Sequence, residues 1–348
     1  MSHDKNKEWV NMTMNNGKRL IWLIAISVLL TFTLAGCIAL GAASITYNAA
    51  PEDPSGEADR DSPENPADET DYELTANSVT VSTPQELADA IAPFTCITLN
   101  AGVYDLSTVV ETANSYANAG SGKAGLIVSN IEGLTLQAAS GANVELVTPD
   151  RFAEVLMFSF CNGIKLSGIE AGHTVTGEYE CDAGVVFLDN SANIVIKDSL
   201  FYGCGAIGIT FDNCVSAQII DTTVTDCSLR AVDLRNSNEI NFTGCSFIDN
   251  RAYGCVIFGY DSSAEFLDCM ISGNKSLEWS TVEFMDDNDV LFERCVFQDN
   301  ALLENALEGE TPVFLGQGIR LRGCRIEKSN FSEYWSDGVT DLGGNKLY

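Results

Sequence analysis

Asp226 and Asp249 stand 23 residues apart in two stretches that read alike, "TVTDCSLR" and "SFIDNRAY". If the chain repeats itself in space as it does in sequence, the two carboxylates are neighbours about 5 Å apart. Such a pair can divide acid, base or nucleophile work on a glycosidic bond. Arg230 and Arg251 follow them closely. Either guanidinium could instead pair with a uronate carboxylate and acidify its α-proton, as elimination from an acidic sugar requires. Tyr202 and Tyr253 fall in the same stretches, and Tyr179, Lys275 and Trp279 in the flanking ones. Rings of this kind can stack on sugar faces. His173 is one of two histidines, the other being His3, and is the only candidate imidazole base beyond the leader. Blander readings stand beside these. An Asp just before an Asn is ordinary turn chemistry, and a lone His is often a hydrogen-bonded packing residue.

These positions belong to a repeat. Ser199, Thr222, Cys245, Cys269, Cys295 and Cys324 form one column, at steps of 23, 23, 24, 26 and 29 residues. Two residues on stand Phe201, Val224, Phe247, Ile271, Phe297 and Ile326; five on, Cys204, Cys227, Asn250, Asn274, Asn300 and Ser329. Three before stand Ile196, Ile219, Phe242, Phe266, Phe292 and Leu321; five before, Ile194, Ala217, Ile240, Ala264, Val290 and Ile319. Apolar residues at alternate positions mean short strands with one buried face. A period near 23 with no helical segment inside it means a stacked solenoid rather than strand–helix–strand units.

Small or Cys residues in one column and Asn in another resemble the inner ladders of right-handed parallel β-helix proteins, the pectate-lyase-like superfamily. The resemblance covers residues 77 to 348 and implies an all-β fold. It is weak for activity, because that superfamily hosts lyases, hydrolases, epimerases and binding proteins. "GHTVTGEYEC" and "LFYGCG" also resemble uncharacterised bacterial surface β-helix proteins. Polygalacturonase-type members carry an adjacent Asp-Asp pair and a Gly-His-Gly. This chain has "GHT" and single Asp residues, and its Asp286–Asp287 pair lies in another turn. The "DPHD" of alginate epimerases is absent.

Such stacking accounts for the cysteines. Equivalent residues on successive coils lie about 4.8 Å apart, slightly too far for the Cβ–Cβ separation of a disulfide. A free thiol suits a small buried column. Asn in the turn column can bond to its neighbour on the next coil. No C-x-x-C supports a zinc site.

Turn length varies mainly after the Asn column. It is long after Thr174, short after Cys204, Cys227 and Asn250, and long again after Asn274. Long turns beside short ones describe a trough along one edge. Its floor would hold Tyr202, Asp226, Arg230, Asp249, Arg251 and Tyr253. Its walls would hold His173, Glu178, Tyr179 and Glu180 on one side, and Lys275, Glu278 and Trp279 on the other. Asp189, Asp212 and Arg235 form a second outward group at matching positions, expected to be a solvated sheet face.

The ends fit a capped solenoid. "TPQE" at Thr83–Glu86 is a capping box with Pro at the first helical position. The following helix should plug the open end with Leu87, Ala90 and Ile91. "CITLNAGVYDL" from Cys96 should begin the first coil, and Phe331, Tyr334, Trp335 and Tyr348 should cover the last. Uncapped edges would invite pairing with another chain.

The first 76 residues are of another kind. Lys18 and Arg19 precede the uncharged run "LIWLIAISVLLTFTLAGC", Leu20 to Cys37. "LAGC" resembles a bacterial lipobox. That implies a signal over 1–36 and a lipidated Cys37 as mature N-terminus. The alternative is an uncleaved transmembrane anchor, since apolar residues continue to about Tyr47. Residues 37–76 are acidic and Pro-rich and read as a disordered tether.

Net charge is −30, from 49 acidic and 19 basic residues. That excludes nucleic acid as a partner, because phosphate neutralisation needs clustered Lys and Arg. A polyanionic ligand would need calcium, so calcium is the one ion left open; no other cofactor is called for. The expectation is a monomeric β-helix on the bacterial cell surface, extracytoplasmic and membrane-anchored. It would bind a polysaccharide or cell-surface glycan along one loop-lined edge. The alternatives are a polysaccharide lyase or glycoside hydrolase, or a structural or adhesive surface protein.

Overall fold

The computed structural model describes residues 77–348 apart from 111, 113, 120–123, 176–181, 204–205, 278 and 304–310. The expected signal, Cys37, the tether and Tyr179, Glu178, Glu180, Cys204 and Glu278 lie outside the described residues. The chain divides into two units, Met1–Thr70 and Asp71–Tyr348. Every element below belongs to the second.

One coil shows the plan. Strand Ala192–Lys197 lies in sheet A, Leu200–Tyr202 in sheet B and Ile207–Asp212 in sheet C, and Val215–Ile220 returns to sheet A. Among the described residues, sheets A, B and C have eleven, ten and nine strands, and a small sheet D has three. Pairing is parallel throughout, apart from Ala117–Ala119, which runs antiparallel to Ala124–Ser129. The fold is a parallel β-helix, as the column pattern predicts.

The predicted columns are the inner files of the coil. Phe201, Val224, Phe247, Ile271, Phe297 and Ile326 are in register on successive strands of sheet B. All are fully buried. In sheet A, Phe242 and Phe266 stack at 4.5 Å and 3°, and Phe266 and Phe292 at 4.5 Å and 11°. Parallel in-register pairing leaves like rings little choice but to stack.

The cysteine column is buried, and the nine described cysteines are free thiols. Each column Sγ faces two carbonyls; that of Cys269 donates to Leu267 O at 3.4 Å and Phe242 O at 3.6 Å. Burial pushes the thiols of Cys214 and Cys255 up to about 11 and about 12. Beside this column runs the Asn ladder. Asn274 Oδ1 accepts from the Asn250 backbone N–H at 2.9 Å and from its Nδ2 at 3.0 Å. Asn274 Nδ2 donates to Phe247 O and to Asn300 Oδ1, each at 2.8 Å.

A further ladder escaped the sequence reading. At the corner between sheets C and A, Cys161 N–H donates to Ser191 Oγ and Cys214 N–H to Ser237 Oγ. Ser237 N–H in turn donates to Ser262 Oγ, and Ser262 N–H to Asn288 Oδ1. The same alignment, extended to this corner, would have exposed it.

Each corner also needs a left-handed residue. After sheet B these are Asp226, Asp249, Gly273 and Asp299, with φ of 56°, 54°, 69° and 54°. Asp, Asn and Gly tolerate that conformation best, which is why they recur there.

The N-terminal helix, α1, spans Pro84–Ala90. Thr83 caps it by accepting from Glu86 N–H, while the Glu86 carboxylate accepts from Ser82 N–H. It buries Leu87, Ala88 and Ile91 against the core. One expectation is corrected here. The first strand is Asn77–Val81, before the helix, and it pairs with Thr95–Leu99. At the other end Phe331 is buried and Tyr334 and Trp335 pack on the core. Tyr348, expected to cover the last coil, is 50% exposed. The strands Val339–Asp341 and Lys346–Leu347 continue sheets A and B instead. Among the described residues no helix is long and apolar enough to cross a membrane.

Candidate functional site

The corner after sheet B and the segments that follow it hold six of the nine described members of the predicted trough. Asp226 and Asp249 are exposed, and the pairing of Thr225 with Ile248 sets them side by side on adjacent coils. Beyond the Asn ladder, Arg251–Ala252, Lys275–Ser276 and Ala301–Leu302 form sheet D, which aligns Arg251 with Lys275. Both side chains are exposed, Tyr253 is 41% exposed, and Trp279 is half-buried nearby in sequence.

Three predicted members sit elsewhere. His173 ends the sheet B strand Glu170–His173 and is only 4% exposed. Its Nε2 lies 2.9 Å from Ala153 O. Burial holds its pKa below the ordinary 6.5. It is a packing residue in this arrangement rather than part of a surface wall. Tyr202 is half-buried on sheet B, where its hydroxyl donates to Glu145 Oε1. Arg230 opens the sheet C strand Arg230–Arg235. Its Nη1 donates to Asp233 Oδ2 at 2.6 Å, and the guanidinium lies 3.9 Å from the centroid of the Phe258 ring.

That contact leads to the outer face of sheet C, which the sequence reading took for a solvated charge stripe. Thr210, Asp233 and Glu283 on it are buried, whereas Asp189, Asp212, Arg235 and Tyr260 stay half-buried. Asp233 is 0% exposed and takes both Arg230 and Arg235, the latter through Nη2 at 2.8 Å and Nε at 3.2 Å. Arg235 also approaches Asp212 at 3.9 Å. Two cations on one buried carboxylate satisfy the rule that buried charge must be paired. Burial would lower the Arg235 pKa, but Asp233 and Asp212 raise it overall. Burial raises Asp189, Asp212 and Glu283 above the ordinary carboxylate range, and takes Glu154 to about 7.

Register orders this face into files. Phe187, Thr210, Asp233, Phe258 and Glu283 occupy one; Asp189, Asp212, Arg235, Tyr260 and Met285 the next. Rings, guanidinium groups and carboxyls thus repeat at strand spacing of about 4.8 Å. The alternation of strand residues signals which side chains point outward; their enclosure has no counterpart in the one-dimensional pattern. Among the described residues no cluster of three or more His, Cys, Asp or Glu is arranged to hold a metal ion.

Residues 183–347 match the family model for the right handed beta helix region. With the three parallel sheets, this makes the solenoid a right-handed parallel β-helix in fold. Similar solved structures include the alginate lyase from Paenibacillus sp. str. FPU-7, at 12% identity over 78% of this chain and 97% of that one, with a TM-score of 0.44. PfbA, a surface adhesin of Streptococcus pneumoniae, is 10% identical over 80% of this chain and 75% of its own, with a TM-score of 0.43. The polygalacturonase from Erwinia carotovora ssp. carotovora is 8% identical over 78% and 96%, with a TM-score of 0.40. No curated protein matches the sequence.

Proposed function

We propose that the protein is a membrane-anchored, extracytoplasmic β-helix module that binds a polysaccharide along the outer face of sheet C and the sheet D corner beside it. One observation carries the reading. Side chains suited to sugars stand together on this face: Arg235 is in register with Tyr260 on the next coil, and Phe258 lies two residues before Tyr260 on the same strand. Arg251 and Lys275 flank it. A ligand that repeats along its own length is the natural match for a surface that repeats at strand spacing. The test is binding of the full chain to a panel of neutral and acidic polysaccharides. Trp279→Ala, Tyr179→Ala and Tyr260→Ala should each weaken the interaction with whichever polysaccharide binds. No effect from the three together would refute it.

A second reading, glycoside hydrolysis, is supported by the exposed, side-by-side placement of Asp226 and Asp249. A separation near 5 Å suits a nucleophile and an acid–base residue in a retaining mechanism. On that reading Asp226→Asn abolishes turnover while sparing binding. Full activity in both the Asp226→Asn and Asp249→Asn variants would remove it. Anchoring through Cys37 belongs to the same proposal. Cys37→Ser should release the protein from membranes or leave it unprocessed; unchanged fractionation and migration would favour a transmembrane anchor.

A further inference from the structure

Glu145 and Glu170 stand near one end of an outward file of sheet B, and Arg325 and Lys346 close the other end. Between them stand Leu200, Thr223, Ser246, Met270 and Val296, in unbroken register. Two residues further along the same five strands stand Tyr202, Thr225, Ile248, Ser272 and Gln298, so ten successive outward positions carry no charge. The other faces differ on these coils. Sheet A turns Lys197, Glu265 and Glu293 outward, and sheet C turns Asp212, Asp233, Arg235 and Glu283 outward. In the uncharged patch Met270 is 42% exposed, and Leu200, Ile248 and Val296 are half-buried.

The face is therefore acidic at one end, uncharged along its middle and basic at the other end. The apolar side chains of the middle gain by leaving water. The charges at the ends say what covers them. A ligand of uniform charge is repelled at one end or the other. A second copy of the chain laid on the face in the same direction sets acid on acid and base on base. A second copy laid in the opposite direction sets acid on base at both ends at once. A two-fold axis makes each of those contacts twice.

We propose that two copies of this chain pack sheet B against sheet B, with their coils ascending in opposite directions. Strand Ser246–Ile248 lies on the two-fold axis, so Ile248 meets its own counterpart. Two strands out from the axis, Leu200 faces the partner's Val296. Three strands out, Glu170 faces the partner's Arg325, and four strands out, Glu145 faces the partner's Lys346. From Val144–Thr148 to Lys346–Leu347 the face runs about 40 Å at strand spacing. With a width of about 15 Å, each copy buries about 600 Å², the lower end of stable interfaces. At one rim Asp249 comes near its own counterpart. Packed sheets lie about 10 Å apart, a distance at which salt screens exposed charges, so this contact opposes the dimer only weakly. The dimer takes the place of the expected monomer. It leaves the outer face of sheet C open, so it is independent of the saccharide reading.

The test is sedimentation equilibrium of the full chain in density-matched detergent. Wild type should dimerise with a micromolar Kd, as an interface of this size gives. Glu170→Lys and Arg325→Glu should each weaken the dimer about tenfold or more. The double variant should recover most of the wild-type affinity, because the swap restores opposite charges across the axis. Ile248→Lys brings two ammonium groups together at the axis and should leave only monomer. Its melting temperature should stay close to that of wild type, because Ile248 points outward. A wild type still monomeric at about 100 μM overturns the dimer. A dimer that survives Ile248→Lys uses another face and overturns the assignment to sheet B. Single charge variants with wild-type affinity, or a swap that recovers nothing, overturn the antiparallel arrangement.

Discussion

Replacing Asn274 by Ala isolates what the ladder contributes. The substitution removes the hydrogen-bond acceptor of the Asn250 backbone N–H, which lies 2.9 Å from Asn274 Oδ1, both residues being buried. That orphan alone costs about 1–3 kcal/mol. The bonds from Asn274 Nδ2 to Phe247 O and Asn300 Oδ1 go as well. The Asn250 side chain survives better, because its Nδ2 keeps Val224 O and Ile248 O. A total loss of about 2–4 kcal/mol follows, a large part of the usual 5–15 kcal/mol stability of a domain. Cys269→Ala, one column away on the same coil, is the control. Its thiol makes long sulfur contacts of 3.4 and 3.6 Å to carbonyls, so about 1 kcal/mol is expected. Urea unfolding at constant m measures both. Hydrogen exchange should quicken at Asn250 and its neighbouring coils and change little around Leu134–Ala138, since a solenoid communicates between nearest neighbours. If Asn274→Ala costs no more than Cys269→Ala, the ladder is packing rather than hydrogen bonding and the reasoning fails.

Glu154 should make stability depend on pH. Burial lifts its pKa from 4.5 to about 7 in the fold. Between those values only the folded chain holds the proton, so its contribution is intact below 4.5 and is lost as pH rises through 7, by about 3 kcal/mol in all. Glu154→Gln should therefore gain stability over wild type at pH 8 but not at pH 4, as read from urea midpoints. Phe160 holds φ of 55° at a corner where Asn190 and Asn213 hold 46° and 52°, and it is 61% exposed. Phe160→Asn should stabilise by about 1 kcal/mol, visible as a raised melting temperature. In a variant with Cys37, Cys181 and Cys204 changed to Ser, nine thiols remain, and all but the half-buried Cys96 should resist a thiol reagent until the protein is unfolded.

The interior of this protein was legible because a parallel coil converts sequence period directly into contact. Residues 23 or 24 apart become neighbours, so the thiol column, the phenylalanine stack and the Asn ladder follow from the sequence alone. The left-handed corners were legible for a similar local reason: Asp226 and Asp249 occupy positions that only a few residue types tolerate. The outer face was a different matter. Alternation marks Asp233, Arg235 and Glu283 as outward, and outward normally means wet. Whether they are wet depends on side chains from neighbouring coils closing over them, and no residue carries that information alone. Arg230 illustrates the point. Its sequence position, four residues after Asp226, suggested a shared floor, yet the strand beginning at Arg230 carries its guanidinium onto Phe258 and Asp233 instead. The backbone register is a property of the repeat, and the sequence determined it. The direction in which a long side chain leaves a corner, and the burial of the charges it meets, arose only when the coils were stacked.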